Sequence, residues 1–260
     1  MKRFWLGLLF SLAGVASAAA ADLIQPPVYN WTGFYIGANA GAAFGEFAPR
    51  TSAAYSGFGY FATTSIPAIA AVGAQTIDPT GFTGGIEAGY NMQSGSFVFG
   101  LESDFDYFGL RGSATNSGVY PCCGPTGFTV NSSARTSGLF TLRPRIGIAH
   151  DNLLFYATGG LAVTNISGSF SFSDNFANAS ESAAVSQTKT GYAVGAGVEA
   201  GLWTNWTVKA EYLYVDFGRL STTSTNLTTG GGFLLWPENQ FTHSIRLSAS
   251  IARVGLNYHF

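Results

Sequence analysis

The chain has 260 residues, of which 47% are hydrophobic, 15% aromatic and only 10% charged, with a formal net charge of −2. The charged fraction is far below the ~25% of an average globular protein, and this near-neutral balance argues against a nucleic-acid partner. Beyond residue 21 no apolar run is long enough for a membrane-spanning helix, which excludes a helical membrane protein.

The first 21 residues have the pattern of a cleaved secretory signal peptide. Lys2 and Arg3 precede the apolar run FWLGLLFSLAGVA, and small residues at A-x-A spacing follow it. This order predicts export, with cleavage near Ala20 or Ala21. A retained helical anchor is the alternative, although the apolar run is short for a membrane-spanning helix.

Apolar residues at a two-residue period mark eight predicted strands in the rest of the chain. The predicted strands cover residues 31–44, 81–93, 96–108, 138–149, 153–164, 190–202, 206–217 and a last strand that ends at Phe260. The alternation of the last strand is regular from Arg253 onward and breaks near residues 248–250. A β-bulge, or the end of an apolar zone, explains such a break.

The connections between these strands are alternately short and long. Two or three residues join strands two and three, four and five, and six and seven, whereas about 25 to 36 residues separate the others. Tight periplasmic turns and long external loops are typical of outer-membrane barrels, whose tilted strands need ~9–11 residues to span the bilayer. We therefore predict an all-β fold, an eight-stranded antiparallel up-and-down transmembrane β-barrel over residues 22–260. Its last strand pairs with its first.

Aromatic residues gather near the end of the predicted barrel where the short turns lie. Rims of such barrels carry aromatic girdles at the membrane interface. The residues expected at this rim are Tyr29, Trp31, Phe34, Tyr90, Phe97, Phe155, Trp203, Trp206, Tyr258 and Phe260.

Three stretches resemble a known family. The segments YNWTGFYIGANAG near the mature start, VKAEYLYVDFG in the seventh strand and RVGLNYHF at the end resemble the outer-membrane immunogenic proteins of alphaproteobacteria, which are small porin-family barrels. The resemblance implies a barrel in the bacterial outer membrane that is exposed to a host or the environment, and it implies no enzyme and no cofactor. It also implies that Tyr258 and Phe260 form the recognition signal for the barrel-assembly machinery, which acts after periplasmic chaperones.

The inward phase of the strands carries nine charged residues at one predicted level of the barrel. They are Glu87, Glu102, Asp104, Arg143, Arg145, Glu199, Lys209, Glu211 and Arg253. An eight-stranded barrel has an interior just wide enough for side chains to fill, so five acids and four bases are predicted to close the lumen as an ion-pair network. The alternative is a charged selectivity filter in a narrow porin-like channel for small solutes.

Other chemistry-bearing residues give weaker signals. His243 and Ser244 resemble the His and Ser of barrel lipid A deacylases, but the sequence offers no Glu to orient the histidine. His150 is expected in a turn and His259 at the rim, and no pair of histidines has metal-ligand spacing. Cys122 and Cys123 are adjacent, which permits a strained vicinal disulfide or an unreactive pair at a loop tip.

The long loops are rich in Gly, Ser, Thr, Asn and Ala, and they suit recognition of host or environmental surface ligands. Part of the segment 52–75 retains enough aromatic and Ile residues to extend strands beyond the membrane. By its phase Arg246 faces outward near the external interface, where it meets lipopolysaccharide phosphates or stays solvated.

Overall fold

The computed structural model describes residues 29–260. The predicted signal peptide over residues 1–21 lies outside the described residues. The strands are β1 (Gly33–Ala53), β2 (Thr80–Ser94), β3 (Phe97–Phe108), β4 (Arg111–Val119), β5 (Gly127–His150), β6 (Leu153–Asp174), β7 (Ser180–Gly201), β8 (Trp206–Ser224), β9 (Thr228–Thr229), β10 (Leu234–Leu235) and β11 (Phe241–His259), and the one helix among the described residues is α1 (Ser65–Val72).

Eight long strands form a closed antiparallel ring in the order β1, β2, β3, β5, β6, β7, β8 and β11. The ring closes between β1 and β11, whose register runs from Tyr35 opposite His259 to Ala53 opposite Phe241. Closure leaves no long strand with an unpaired edge, which a lipid environment could not satisfy. The predicted eight-stranded barrel, with its last strand paired to its first, is confirmed.

The two ends of the barrel differ in their connections. At the turn end, where short turns link β2 to β3, β5 to β6 and β7 to β8, Gly95 adopts φ +61°, a left-handed conformation that favours glycine. At the loop end the longer connections carry α1, the β4 hairpin on β5, and the two-residue strands β9 and β10. No helix in residues 29–260 is long and apolar enough to cross a membrane.

Most barrel strands extend further towards the loop end than the sequence predicts. β6 continues to Asp174 rather than ending near residue 164, and β5 begins at Gly127 rather than near residue 138. Beyond the apolar zone most outward positions become polar while most inward ones stay apolar, so the alternation of apolar residues that marks a lipid-facing strand is lost. The expected irregularity in the last strand is a register shift between Arg246 and Ser248 against β8.

The outer wall carries a broad band of exposed apolar side chains above the turn end. On β3 the outward residues Phe99 and Phe105 are 47% and 64% exposed, and Ile86 on β2 is 64% exposed. Towards the loop end this band stops, and on β6 the outward residues become Asn165 and Ser167. An apolar belt of this size on all sides is unfavourable in water and matches the lipid-facing band of a membrane barrel.

The interior is filled in four zones from the turn end to the loop end. The turn-end mouth contains Trp31, Val98, Ala149, Leu154 and Tyr156. The charged layer contains Glu87, Glu102, Asp104, Asp106, Arg143, Arg145, Glu199, Lys209, Glu211 and Arg253. The apolar layer contains Phe47, Phe108, Leu139, Ala162, Ile166, Val215, Phe217, Leu247 and Ile251. The aromatic cap contains Phe61, Tyr120, Phe128, Phe172 and Phe241.

The sequence prediction for Trp31 is wrong. Trp31 was expected on the rim girdle, but it is 0% exposed and lies inside the turn-end mouth. β1 begins only at Gly33, whose φ of +144° turns the chain, and the backbone N–H of Trp31 donates to Gln93 Oε1 at 2.9 Å. The segment before β1 therefore folds back into the barrel rather than continuing the strand.

Candidate functional site: the barrel lumen

The charged layer is the main concentration of polar chemistry in the described part of the chain. All nine residues selected from the sequence point inward, and each is at most 4% exposed. They are contributed by six strands, β2, β3, β5, β7, β8 and β11, so the alternation of each strand delivers them to one level. Buried charges of this density are tolerable only when they are paired and hydrogen-bonded.

Glu102 on β3 is the acceptor at the centre of this layer. Its carboxylate lies 2.8 Å from Arg143 Nη2 and 2.9 Å from Lys209 Nζ. Arg145 and Arg253 approach it at 3.5 and 3.8 Å, so all four cations of the layer lie within ion-pair distance.

Tyr35 adds a further contact to this carboxylate. Its O–H donates to Glu102 Oε2 at 2.7 Å. Lys209 is shared with a second acid, Glu87, at 2.8 Å. These contacts leave the Lys209 ammonium between two carboxylates, inside a wall that excludes solvent.

Arg253 on β11 organises the half of the layer nearer the apolar zone. Its guanidinium reaches Glu211 at 2.6 Å, Asp104 at 3.1 Å and Asp106 at 2.7 Å. Arg143 joins the same group, because it lies 2.7 Å from Asp104 and 3.1 Å from Glu211. Acids and bases thus alternate across the lumen, which lowers the cost of burying each one.

Asp106 is a tenth member of the layer that the sequence-based selection omitted. It is 1% exposed and follows Glu102 and Asp104 on the inward face of β3. The two-residue alternation of β3 is sufficient to predict that Asp106 faces inward. With Asp106 the layer contains six acids and four bases. A neutral donor contacts two of the acids, because Asn39 Nδ2 donates to Asp106 at 3.0 Å and to Glu87 at 3.2 Å.

Glu199 links the charged layer to the turn-end mouth. It accepts from Arg145 Nη1 and from Asn257 Nδ2, both at 3.0 Å, and it lies 3.5 Å from His259 Nε2. The expectation that His259 lies on the rim is wrong, because its ring is 5% exposed and stacks on Tyr35 with 5.2 Å between centroids. An odd-numbered residue of β11 faces inward, and this parity runs to the end of the strand.

His243 has a carboxylate partner that the sequence did not reveal. Its Nε2 lies 3.1 Å from Glu181 Oε1 and its Nδ1 lies 2.9 Å from Thr51 Oγ1. Glu181 is on β7, which is separated from β11 by β8, so the contact joins two non-adjacent strands over the inner face of β8. Both His243 and Glu181 have 0% side-chain exposure, and the histidine lies between Phe170 and Phe241. The pair is therefore enclosed by protein side chains.

The aromatic cap is joined to the loops by one carboxylate. Tyr60 and Tyr120 both donate their O–H to Asp174 Oδ2, at 2.7 and 2.8 Å. Burial, and then the hydrogen bond to Asp174, raises the pKa of both phenols above the ordinary value. The tip of the β4–β5 hairpin lies beside this cap, and Cys122 and Cys123 are joined there as a vicinal disulfide.

Tyr258 and Phe260, at the end of the chain, lie on the outer wall at the turn end. The backbone N–H of Phe260 donates to the Phe34 carbonyl at 2.9 Å, and its side chain is 76% exposed. Its ring packs edge-on against Tyr258, with 5.2 Å between centroids. Tyr258 in turn packs against Trp206, which gives this rim an exposed aromatic cluster.

Comparison with known proteins gives a family and several relatives. A family model described as an outer membrane protein beta-barrel domain matches residues 7–260. The 31 kDa outer-membrane immunogenic protein of Brucella melitensis is 33% identical over 267 residues, which cover 97% of this chain and 98% of the relative. The 22 kDa outer membrane protein of Rhizobium leguminosarum bv. viciae is 29% identical over 222 residues, covering 80% and 81%.

Two solved structures are more distant in sequence. The outer membrane protease OmpT from Escherichia coli has 9% identity and a TM-score of 0.45, covering 91% of this chain and 99% of its own. Neisserial surface protein A has 14% identity and a TM-score of 0.38, covering 88% and 98%.

Proposed function

The chain belongs to the outer membrane protein beta-barrel family, and on that premise we propose that it is a structural barrel whose lumen is closed. The protein is an integral component of the bacterial outer membrane. In the proposal it supports the integrity of the envelope and presents its loops at the cell surface. It performs no chemical reaction and carries no cofactor.

The observation that supports a closed lumen is the pairing of the charged layer beneath an apolar layer. The charged side chains contact one another at 2.6–3.8 Å, and the ten of them are 0–4% exposed. Above them Phe47, Phe108 and Leu139 are 0% exposed and fill the lumen with apolar side chains. An interior of eight strands is only wide enough for such packing.

A narrow channel for small solutes is the second candidate. The excess of two carboxylates in the charged layer favours it, because acidic rings select cations. A channel requires a water-filled path, however, and each of the cations named above is held by at least two carboxylates. We therefore place the channel second.

The proposal includes the route by which the protein reaches the membrane. Residues 1–21 act as the signal peptide, and residues 22–260 fold as the barrel after passage with periplasmic chaperones. Tyr258 and Phe260 act as the signal for the assembly machinery, an assignment supported by their exposed aromatic cluster at the turn end.

The loop end is the surface proposed for recognition. The relatives from Brucella are named immunogenic, and by analogy the loops of this chain are proposed to be accessible to antibodies or to ligands on other surfaces. The cap beneath them holds the loops on a rigid base, as expected for recognition loops on a scaffold.

Vesicle swelling tests the proposed closed lumen. Refolded protein in vesicles is expected to give the same swelling in small sugars and amino acids as protein-free vesicles. Folding is verified by heat-modifiable migration, and a general porin serves as the positive control. Swelling that increases as the solute becomes smaller would support the channel instead.

A deletion strain tests the envelope role separately. Loss of the protein is expected to increase sensitivity to detergent, and re-expression of the full chain is expected to restore resistance. Unchanged sensitivity would remove the envelope role and leave the closed lumen unaffected.

A further inference from the structure

Five arginines lie on the outer wall of the barrel, beyond the apolar band towards the loop end. All five are exposed; they are Arg50, Arg111, Arg135, Arg219 and Arg246. The remaining arginines of the described chain lie in the charged layer. Cations in this belt face the headgroup region of the outer leaflet rather than the lumen.

Four of these arginines form two cross-strand pairs. Arg111 on β4 lies directly opposite Arg135 on β5, and Arg219 on β8 lies directly opposite Arg246 on β11. Like charges in directly opposed positions destabilise a sheet. A nearby anion would relieve the repulsion within each pair.

Only the second pair is supplied with an anion by the protein itself. Arg246 Nη2 lies 2.7 Å from Asp216 Oδ2. Within residues 29–260, neither Arg111 nor Arg135 forms an ion pair with a carboxylate. The same arrangement is thus compensated on one side of the barrel and uncompensated on the other.

The uncompensated pair borders a groove that suits an oxyanion. The groove has a volume of about 440 Å³ and is lined by Tyr107, Arg111, Arg135, Ser137, Asn165 and Ser167. The side-chain amide oxygen of Asn165, Oδ1, already accepts a hydrogen bond from Thr188 Oγ1 at 2.6 Å, which leaves the side-chain N–H₂ group for another partner. Two guanidinium groups beside amide and hydroxyl groups can bind a phosphate or carboxylate together with neighbouring sugar hydroxyls.

The height of the groove indicates where its ligand comes from. Tyr107 is the last large apolar outward residue of β3, and Phe105 and Phe140 beneath it belong to the lipid-facing band. The groove opens on the outer wall directly above that band. A headgroup whose acyl chains lie against Phe105 and Phe140 reaches both arginines without leaving the membrane.

We propose that Arg111 and Arg135 bind the anionic headgroup, a phosphate or a sugar carboxylate, of a glycolipid in the outer leaflet. A protein in the outer membrane contacts lipid, and the proposal names the residues that bind one lipid headgroup. It rests on that location and is independent of the proposed closed lumen, so conduction of solutes would leave it intact.

Binding of fluorescent diphosphoryl lipid A to refolded protein in neutral detergent tests the proposal. Wild-type protein is expected to bind the lipid, with an affinity that falls as salt is added. The double variant Arg111→Gln/Arg135→Gln is expected to bind it at least tenfold more weakly. The matched control, Arg219→Gln, removes an outward arginine but leaves Arg246 paired with Asp216, and it is expected to bind like wild type.

Three results would overturn the proposal. They are equal binding by wild type and the double variant, an equal loss in Arg219→Gln, and undiminished binding of dephosphorylated lipid A. If inorganic phosphate binds as tightly as the lipid, the site takes free anions and the glycolipid assignment is wrong. Heat-modifiable migration establishes that each variant is folded, and Arg111→Lys/Arg135→Lys, which keeps charge but loses the planar fork, is expected to bind with intermediate affinity.

Discussion

Replacing Glu102 with glutamine tests whether the charged layer is buried and paired. The substitution keeps the shape of the side chain but removes the charge that faces Arg143 at 2.8 Å and Lys209 at 2.9 Å. The amide N–H₂ group that replaces one oxygen also directs its N–H donors towards the N–H donors of the neighbouring cations. Tyr35 loses its charged acceptor at the same time.

The expected loss is about 3 kcal/mol in the free energy of unfolding. Removing one partner of a buried ion pair typically costs ~3–5 kcal/mol, because the other charge stays buried and uncompensated. We expect the lower end of that range because Lys209 retains Glu87 at 2.8 Å and Arg143 retains Asp104 at 2.7 Å.

Urea unfolding in lipid vesicles, followed by heat-modifiable migration and tryptophan fluorescence, measures this loss. The control is Glu46→Gln, an exposed outward carboxylate on β1, which is expected to change stability by less than ~0.5 kcal/mol. If Glu102→Gln costs no more than Glu46→Gln, the layer is solvated and the reasoning from burial fails.

Three further predictions concern the cap and the chain end. Asp174→Asn should loosen the cap and speed proteolysis of the loops, since Tyr60 and Tyr120 lose a charged acceptor, whereas Asp151→Asn in a short turn should not. Because the raised pKa of the two phenols lies above the ~10 of an unfolded tyrosine, their contribution to cap stability is complete below pH ~10 and is lost as pH rises through the folded value. In a tyrosinate absorbance titration, Tyr60 and Tyr120 should ionise late in wild-type protein and earlier in Asp174→Asn; identical titrations of the two proteins would contradict this. Deleting Phe260 should sharply lower the outer-membrane level in cells while purified protein still refolds in detergent, because an exposed Phe contributes only part of ~1.5–3 kcal/mol; normal membrane levels would refute the signal role.

Local alternation was sufficient to predict the ring and the inward charges. Glu199 and Arg145 belong to strands whose phase is clear within the apolar zone, and a strand with one lipid-facing side has little freedom in register. Asp106 follows the same alternation on β3, so the sequence contains the information needed to predict its inward position.

Features that depend on distant strands or on chain reversal were not predictable. The Glu181–His243 contact joins two non-adjacent strands inside the barrel, so no local pattern encodes it. Trp31 is apolar and aromatic, which suits a girdle and a buried mouth equally, and only the turn at Gly33 decides between them. The loop-end strand extensions lose their outward apolar residues, and α1 is short and lies within a loop of mixed composition.

Conductance across a planar lipid bilayer is the most direct test of the closed lumen. Refolded protein, with folding verified by heat-modifiable migration, is expected to leave the bilayer silent under applied voltage, as Glu46→Gln should. A steady conductance in wild-type protein that falls in Glu102→Gln or in Arg143→Gln would show that ions pass through the charged layer and would contradict the account.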